Sequence, residues 1–402
     1  MKNQMITKLA ALALAVTAMV PSLHAQIAIP NADGSDGALI VSNSMTINLA
    51  NAVTGNWTNN NAANMGKGIY DPTQWAVVFK YSSVVISNGA VLTFANNATH
   101  APVVWLVGSN SIVGNVTING EVSLDGQAGS GDPVNLSQPG PGGFRGGGGP
   151  TYGGGTGFGP GGGNGVGVYS GTYGNPQILP LIGGAGGGGG SGNNGGCGGG
   201  AILIAASGTI TVNNYIHANG GSTSYASGSG GGIRLVANQI LGAGTIQALG
   251  GSYYAVGGPG RIRLESAQPA SNQLFLNPSL PPVLPDVPPI IFPAANAPTV
   301  TIWSVAGLTP PADPQAPMTS SGNEDLTLVT TNNVVIQVRT TNFPTNGSTV
   351  NVYIKPRNAG QTVLTATAPT SGDTNSAIWS VTNNFSYQIN QGHTVIQARA
   401  FH

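Results

Sequence analysis

Charge is what this chain most lacks. Only 24 of its 402 residues are charged, 12 of each sign, about a quarter of the proportion usual in a soluble globular protein. Solubility therefore has to rest on Asn, Thr, Ser, Gln and exposed backbone. With no net charge and no basic run, nothing supplies the phosphate neutralisation that drives nucleic-acid binding, and that partner class is excluded. Cysteine is nearly absent too. Cys197 is the only one, so no intramolecular disulfide can form, and stability must come from packing and backbone hydrogen bonds. A helical period is missing throughout. After the N-terminal region no run approaches the roughly 18 apolar residues a membrane helix needs.

The N-terminal region has the three parts of an export signal. Lys2 and Lys8 give a basic start, Leu9 to Val20 is apolar, and Pro21 and a small residue, Ala25, close the segment. Residues 1–25 are expected to be a signal peptide, leaving a mature chain with no transmembrane span, secreted or on the outer cell surface.

From 26 to 267 the recurring unit is a short apolar-alternating strand closed by Asn-Gly, Asp-Gly or Gly-Gly. Ala201–Ala205 matches Gly232–Val236, Tyr215–Gly221 matches Thr245–Gly251, and a third copy begins at Arg261. The spacings are 31 residues from Ile202 to Ile233 and 29 from Ile233 to Ile262. Units of this length, built of short strands and glycine turns, predict a β-solenoid, right-handed as in known folds of this kind. The stretch from Asn115 to Gly126 parallels that from Ile210 to Gly220, so the glycine-rich block between them, residues 139–200, is an insertion into one solenoid turn. The polar stretch from Asn56 to Asp71 is placed to cap the N-terminal edge.

Nine prolines between Pro269 and Pro298 predict an extended interdomain linker over 268–298 that stays out of any ladder. Beyond it, seven short alternating strands are expected in 299–402, namely Thr299–Val305, Leu326–Val329, Val334–Thr340, Thr349–Lys355, Thr362–Ala368, Ala377–Val381 and His393–Phe401. That spacing predicts an immunoglobulin-like β-sandwich without the antibody cysteine pair. The fold class is all-β: a right-handed parallel β-helix with a glycine-rich insertion, followed by this module.

Between Gly140 and Gly200, 32 of 61 residues are glycine. Six triplets opening with glycine run from Gly183 to Gly200, a pattern that lets a left-handed extended helix pack with no side chain intervening. A single such helix has no hydrogen bonds of its own, so a mobile loop is the competing reading. Tyr152, Phe158, Tyr169 and Tyr173 punctuate the block and could stack on sugar rings or merely tether the loop. Phosphate capture is rejected because no Gly-Lys-Ser/Thr or helix start follows the glycines. Asp33 and Asp36, in a tight turn, are candidate calcium ligands, against a turn capped by its own Asp side chains. Arg234 and Arg263 occupy equivalent outward positions in successive turns and could hold an anion, with Glu265 as the alternative neutralising partner. Glu121 and Asp125 share a face but stand about 13 Å apart along a strand, outside the range of paired glycosidase carboxyls. His100, His217 and His393 are dispersed in sequence.

The segments Asp33-Gly-Ser-Asp-Gly-Ala38, Pro139-Gly-Pro-Gly-Gly-Phe144, Gly198-Gly-Gly-Ala-Ile-Leu-Ile204 and Gly230-Gly-Gly-Ile-Arg-Leu235 together resemble a group of glycine-rich secreted β-helix repeat proteins of environmental bacteria. The resemblance covers roughly residues 31–266 and implies export and a β-helical body, with no established activity and no catalytic residues. The C-terminal part resembles bacterial immunoglobulin-like modules appended to surface proteins. The expected function is structural or adhesive, with contact to polysaccharide or to cell-surface or matrix components. The scarcity of acid, base and metal-ligand clusters weighs against an enzyme. The alternative is a carbohydrate-active lyase or hydrolase on the same scaffold.

Overall fold

The computed structural model describes residues 26–131, 137–149, 154–163, 168, 170–268, 273–314, 325–329, 332–356, 360–369, 376–385 and 394–402. The protein is all-β, with no α-helix among the described residues. Up to residue 277 the strands are β1 (Gly37–Val41), β2 (Met45–Asn48), β3 (Val53–Thr54), β4 (Ile69–Asp71), β5 (Ala76–Ile86), β6 (Val91–Ala95), β7 (Val103–Val107), β8 (Val116–Ile118), β9 (Glu121–Ser123), β10 (Ala201–Val212), β11 (Tyr215–His217), β12 (Gly232–Leu241), β13 (Thr245–Gln247), β14 (Arg261–Ser266) and β15 (Phe275–Asn277).

These strands form two sheets. One runs β14-β12-β10-β7-β5-β4-β3, with β8 also paired to β10 and β5 and β1 to β5, and the other runs β15-β13-β11-β9-β6-β2. Nearly all pairings are parallel, the exception being β4 against β5. Parallel neighbours need a crossover, and here each crossover is the rest of one repeat. The repeats align in space as their sequences align, with Ile202 opposite Ile233, Ile233 opposite Ile262, and Tyr215 opposite Thr245. Across the glycine block, β10 pairs with β7 and β8, and β11 pairs with β9. The block therefore interrupts a continuous stack. Polar Asn56 to Asp71 includes β4, which joins the N-terminal edge antiparallel.

Alternation decides which side chains fill the interior. Ile202, Ile204, Ile210, Ile216, Ile233, Leu235, Ile246 and Ile262 are inaccessible to solvent and share one core cluster. Each contributes about 1.5–3 kcal/mol on burial. The first sheet is covered on its other face as well, where Val104, Leu203 and Val236 meet Ile29, Ile178, Leu181 and Ile291. Strands buried on both faces read as unbroken apolar runs, as Val103–Val107 does.

Ile291 corrects the expectation for 268–298. That segment is no free linker: Phe275–Asn277 pairs with β13, Val283 bridges Glu265, and Phe292 packs edge-on against Trp57 at 4.9 Å. Its prolines are compatible because a chain lying at the sheet's edge and over its face needs few ladder donors.

The described residues of the glycine-rich region are tied to their neighbours by backbone hydrogen bonds, which corrects the mobile-loop reading. After β11 and β13 the chain does not turn directly into the next strand. It runs outward, reverses near 224–225 and 253–254, and returns into β12 and β14. The described residues of 139–200 form an enlarged arm of this kind with extra limbs. Amides along it turn in succession to three neighbours. Gly183, Gly186 and Gly189 donate to the carbonyls of Gly142, Phe158 and Gly155; Gly184 and Gly187 donate to Gly199 and Gly196; and Gly188 donates to Val168. The returning limb repeats the period: Gly195 and Gly198 donate to Gly147 and Phe144, Gly196 and Gly199 to Ala226 and Ser229, and Cys197 and Gly200 to Gln127 and Leu124. A threefold extended chain lacks internal hydrogen bonds, and lateral neighbours supply them here.

Among the described residues, six strands follow in the C-terminal part: β16 (Thr299–Val305), β17 (Val334–Thr341), β18 (Thr349–Pro356), β19 (Thr362–Thr365), β20 (Ser376–Asn383) and β21 (Thr394–Phe401). They make two antiparallel three-stranded sheets, β16-β17-β20 and β19-β18-β21, around a core of Ile336, Val338, Val352, Ile354 and Trp379. Leu326–Val329, expected as a strand, is irregular; Leu326 and Leu328 still pack on this core.

A Cβ placed on Gly198 would lie 1.8 Å from the carbonyl oxygen of Gly184, whereas one on Gly171 would meet nothing within 4 Å. Gly198→Ala should therefore cost about 1–3 kcal/mol or more, and Gly171→Ala less than about 0.5 kcal/mol. Urea unfolding midpoints of the two variants check this.

Candidate functional site

The side chains expected to bind are largely engaged within the fold. Phe158 is 2% exposed, and the Tyr173 hydroxyl donates to the Gly183 carbonyl. Tyr152, Tyr169, His393 and residues 1–25 lie outside the described residues. Arg234 was expected to face outward and instead is buried, because the proline-rich segment covers that face. Its Nε donates to Glu265 Oε1 at 2.8 Å and its Nη1 to the Ile290 carbonyl at 2.8 Å. Arg263 Nε donates to the same carboxylate oxygen at 2.6 Å. The anion between the two arginines is the chain's own Glu265. At the N-terminal turn, Asp33 Oδ1 accepts from the Ser35 amide and Asp36 Oδ2 from the Asn61 side chain and the Lys80 amide. The buried Lys80 ammonium lies 3.7 Å from Asp33 Oδ2. Burial raises the Asp36 pKa. Among the described residues no group of three or more His, Cys, Asp or Glu is arranged to hold a metal ion.

Other polar groups inside the fold are equally committed. Cys197 is buried in the glycine limbs, its thiol donates to the Ser137 carbonyl at 3.1 Å, and burial pushes its pKa to about 11. That makes it an inert thiol. His100 is held neutral, its pKa lowered to about 3 by burial and by Arg145 nearby. Lys355 on β18 is 1% exposed and donates to the Gly159 carbonyl at 2.9 Å, tying the C-terminal sheets to the glycine limbs; burial lowers its pKa to about 7. A cleft beside Tyr173, Ile182 and Arg261 has room for about 20 Å³, the scale of one water.

Two surfaces remain that sequence reasoning did not single out. One is the far end of the glycine arms, where the reversals gather. Gly190 bridges Asn193, Ala226 bridges Ala255, Thr223 Oγ1 donates to the Asn194 carbonyl, and the Ser252 amide donates to Ser222 Oγ. Tyr253 and Tyr254 stand there 72% and 81% exposed, beside Val256. The signal was the pair of aromatics at the turn of a repeat, between Gly250-Gly251 and Gly257-Gly258.

The other surface is the outer face of the second sheet. Register places Glu121 opposite Tyr215 and Ser123 opposite His217. His217 therefore has Glu121 on one diagonal and Asp125 on the other, the cross-strand relation that brings long side chains into reach. Its Nε2 is 2.7 Å from Glu121 Oε1 and its Nδ1 2.9 Å from Asp125 Oδ1. Asp125 Oδ1 also accepts from the Asn219 amide at 2.5 Å. The carboxylates that looked too far apart along one strand are joined by a histidine more than 90 residues further on, from the neighbouring repeat. The repeat alignment carried that signal, since Ser123 and His217 fall at equivalent positions.

Burial works to lower the His217 pKa, but the hydrogen bonds and charges of Asp125 and Glu121 outweigh it, and the net shift is upward. A raised histidine pKa gives stabilisation that is fully present below the unfolded value of about 6.5 and is lost as pH rises through the folded value. Both carboxylates stay about one-third open to water, so the contribution is at most about 1 kcal/mol. The stability difference between wild type and His217→Gln should therefore shrink with rising pH over the window that begins near about 6.5; denaturation midpoints of the two proteins across the pH range check it.

Among the described residues no helix is long and apolar enough to cross a membrane. No protein-family model, curated protein or solved structure matches the chain.

Proposed function

We propose that the protein is a secreted or cell-surface structural and adhesive protein, built as a right-handed parallel β-solenoid with a glycine-rich insertion and an immunoglobulin-like β-sandwich, of the glycine-rich repeat type that its sequence resembles. The export signal read at 1–25 supports the location, and the parallel stacking of repeats in register supports the solenoid. Two three-stranded antiparallel sheets around one core support the sandwich. The observation that carries the adhesive reading is the display of Tyr253 and Tyr254 at the common end of the glycine arms. Limbs whose neighbours touch backbone to backbone form a stiff base with few side chains to reorganise, and exposed tyrosines on a stiff base lose little conformational freedom on binding. The partner class is a glycan or a matrix component. Tyr253→Ala/Tyr254→Ala should weaken attachment to whole cells or to glycan arrays by about tenfold while leaving the unfolding midpoint unchanged, as expected for aromatic anchors. Undiminished attachment would remove the tip from the adhesive role.

One observation favours the second reading, a carbohydrate-active lyase or hydrolase. Glu121 and Asp125 each stand within hydrogen-bond reach of His217 on an accessible face, and such a group can hold and transfer protons. Release of new reducing or unsaturated ends from a polysaccharide panel, lost in Glu121→Gln and Asp125→Asn, would establish it.

A further inference from the structure

The outer face of the second sheet has the chemistry of a sugar platform. Tyr215, Thr245 and Phe275 stand side by side on three adjacent strands. Tyr215 is 43% and Phe275 59% exposed. Their rings flank the small Thr245 at two strand spacings, about 9.6 Å, a separation comparable with the repeat of two sugar units in an extended chain. The next row brings Ser123, His217, Gln247 and Asn277 into register. A row of flat apolar rings beside a row of hydroxyl, imidazole and amide groups matches the two sides of a pyranose, whose C–H face stacks on aromatics while its hydroxyls need hydrogen-bond partners.

Charge decides which polysaccharide. Glu121 and Asp125 put two carboxylates on this face against the single imidazole of His217. A carboxylate accepts hydrogen bonds from sugar hydroxyls but repels a uronate or sulfate. Arg234 and Arg263 belong to the other sheet and are bound to Glu265, and among the described residues the ion pairs of Glu121 and Asp125 are with His217 and not with an arginine.

We propose that this face binds an uncharged, extended polysaccharide chain running across the strands, with Tyr215 and Phe275 as stacking anchors and Glu121, Gln247 and Asn277 as hydroxyl partners. The proposal rests on the glycan-contact reading above but not on the tyrosine tip.

Affinity electrophoresis of the full chain through gels containing hydroxyethyl cellulose, arabinoxylan, mixed-linkage glucan or polygalacturonate tests it. At least one neutral polymer should retard the protein, and polygalacturonate should not. Tyr215→Ala and Phe275→Ala should each weaken retention about tenfold. Thr245→Lys, which keeps the core intact and raises a cation between the rings, should abolish it. Melting curves identify any variant that has lost its fold, and Thr245→Lys, at a surface position, then stands for the platform. Tyr253→Ala/Tyr254→Ala should leave retention unchanged, so failure of the tip and failure of this face give different results. The proposal is overturned if no neutral polymer retards the protein, if polygalacturonate is preferred, or if retention survives Tyr215→Ala, Phe275→Ala and Thr245→Lys.

Discussion

Close backbone contact without intervening side chains is the constraint on which the structure depends. In the glycine limbs, amides at successive positions donate to three different neighbours, and this requires chains so near that a methyl group would occupy a carbonyl's place. A bare extended chain in water has no hydrogen bonds of its own and large conformational freedom. Gathered limbs satisfy each other's donors, and every limb added offers bonding positions to the next. This lateral saturation lets the described residues of so glycine-rich a stretch form a body and not a tether.

The strand coils fix where that body stands. Each arm leaves one sheet and re-enters the other, so the stacking that aligns Ile202, Ile233 and Ile262 also aligns the arms. The few charges are used sparingly in the same framework. Glu265 serves two arginines under the proline-rich cover, Lys80 neutralises the N-terminal acidic turn, and Lys355 caps carbonyls of the glycine limbs. A buried charge is costly unless paired or hydrogen-bonded, which fits a chain that carries so few. With so many charges spent inside, aromatic and polar groups at the arm tips and on the second sheet, the carboxylates of Glu121 and Asp125 among them, are what the protein has to offer a partner.

Much of the scaffold was legible in the sequence. Alternating strands gave the all-β class, and the spacings of 31 and 29 residues gave the register. Most C-terminal strands fall within a residue or two of their expected limits; Leu326–Val329 does not, because an apolar run can fill a core without joining a ladder. The proline-rich segment was misjudged for a related reason. Prolines restrict donors, but they do not stop Ile291 and Phe292 from covering an apolar face that the sequence does not reveal as uncovered.

The sequence by itself determined the repeat, the insertion point and the poverty of charge, because period, glycine content and composition are properties of order along the chain. Only the tertiary structure decided what faces what. His217 meets Glu121 and Asp125 across more than 90 residues, Arg234 turns out to be covered, and Tyr253 and Tyr254 remain open while Phe158 does not. The physical reason is that exposure and pairing are set by neighbours brought from distant repeats. In a limb made mostly of glycine there is no side-chain pattern along the chain to announce them.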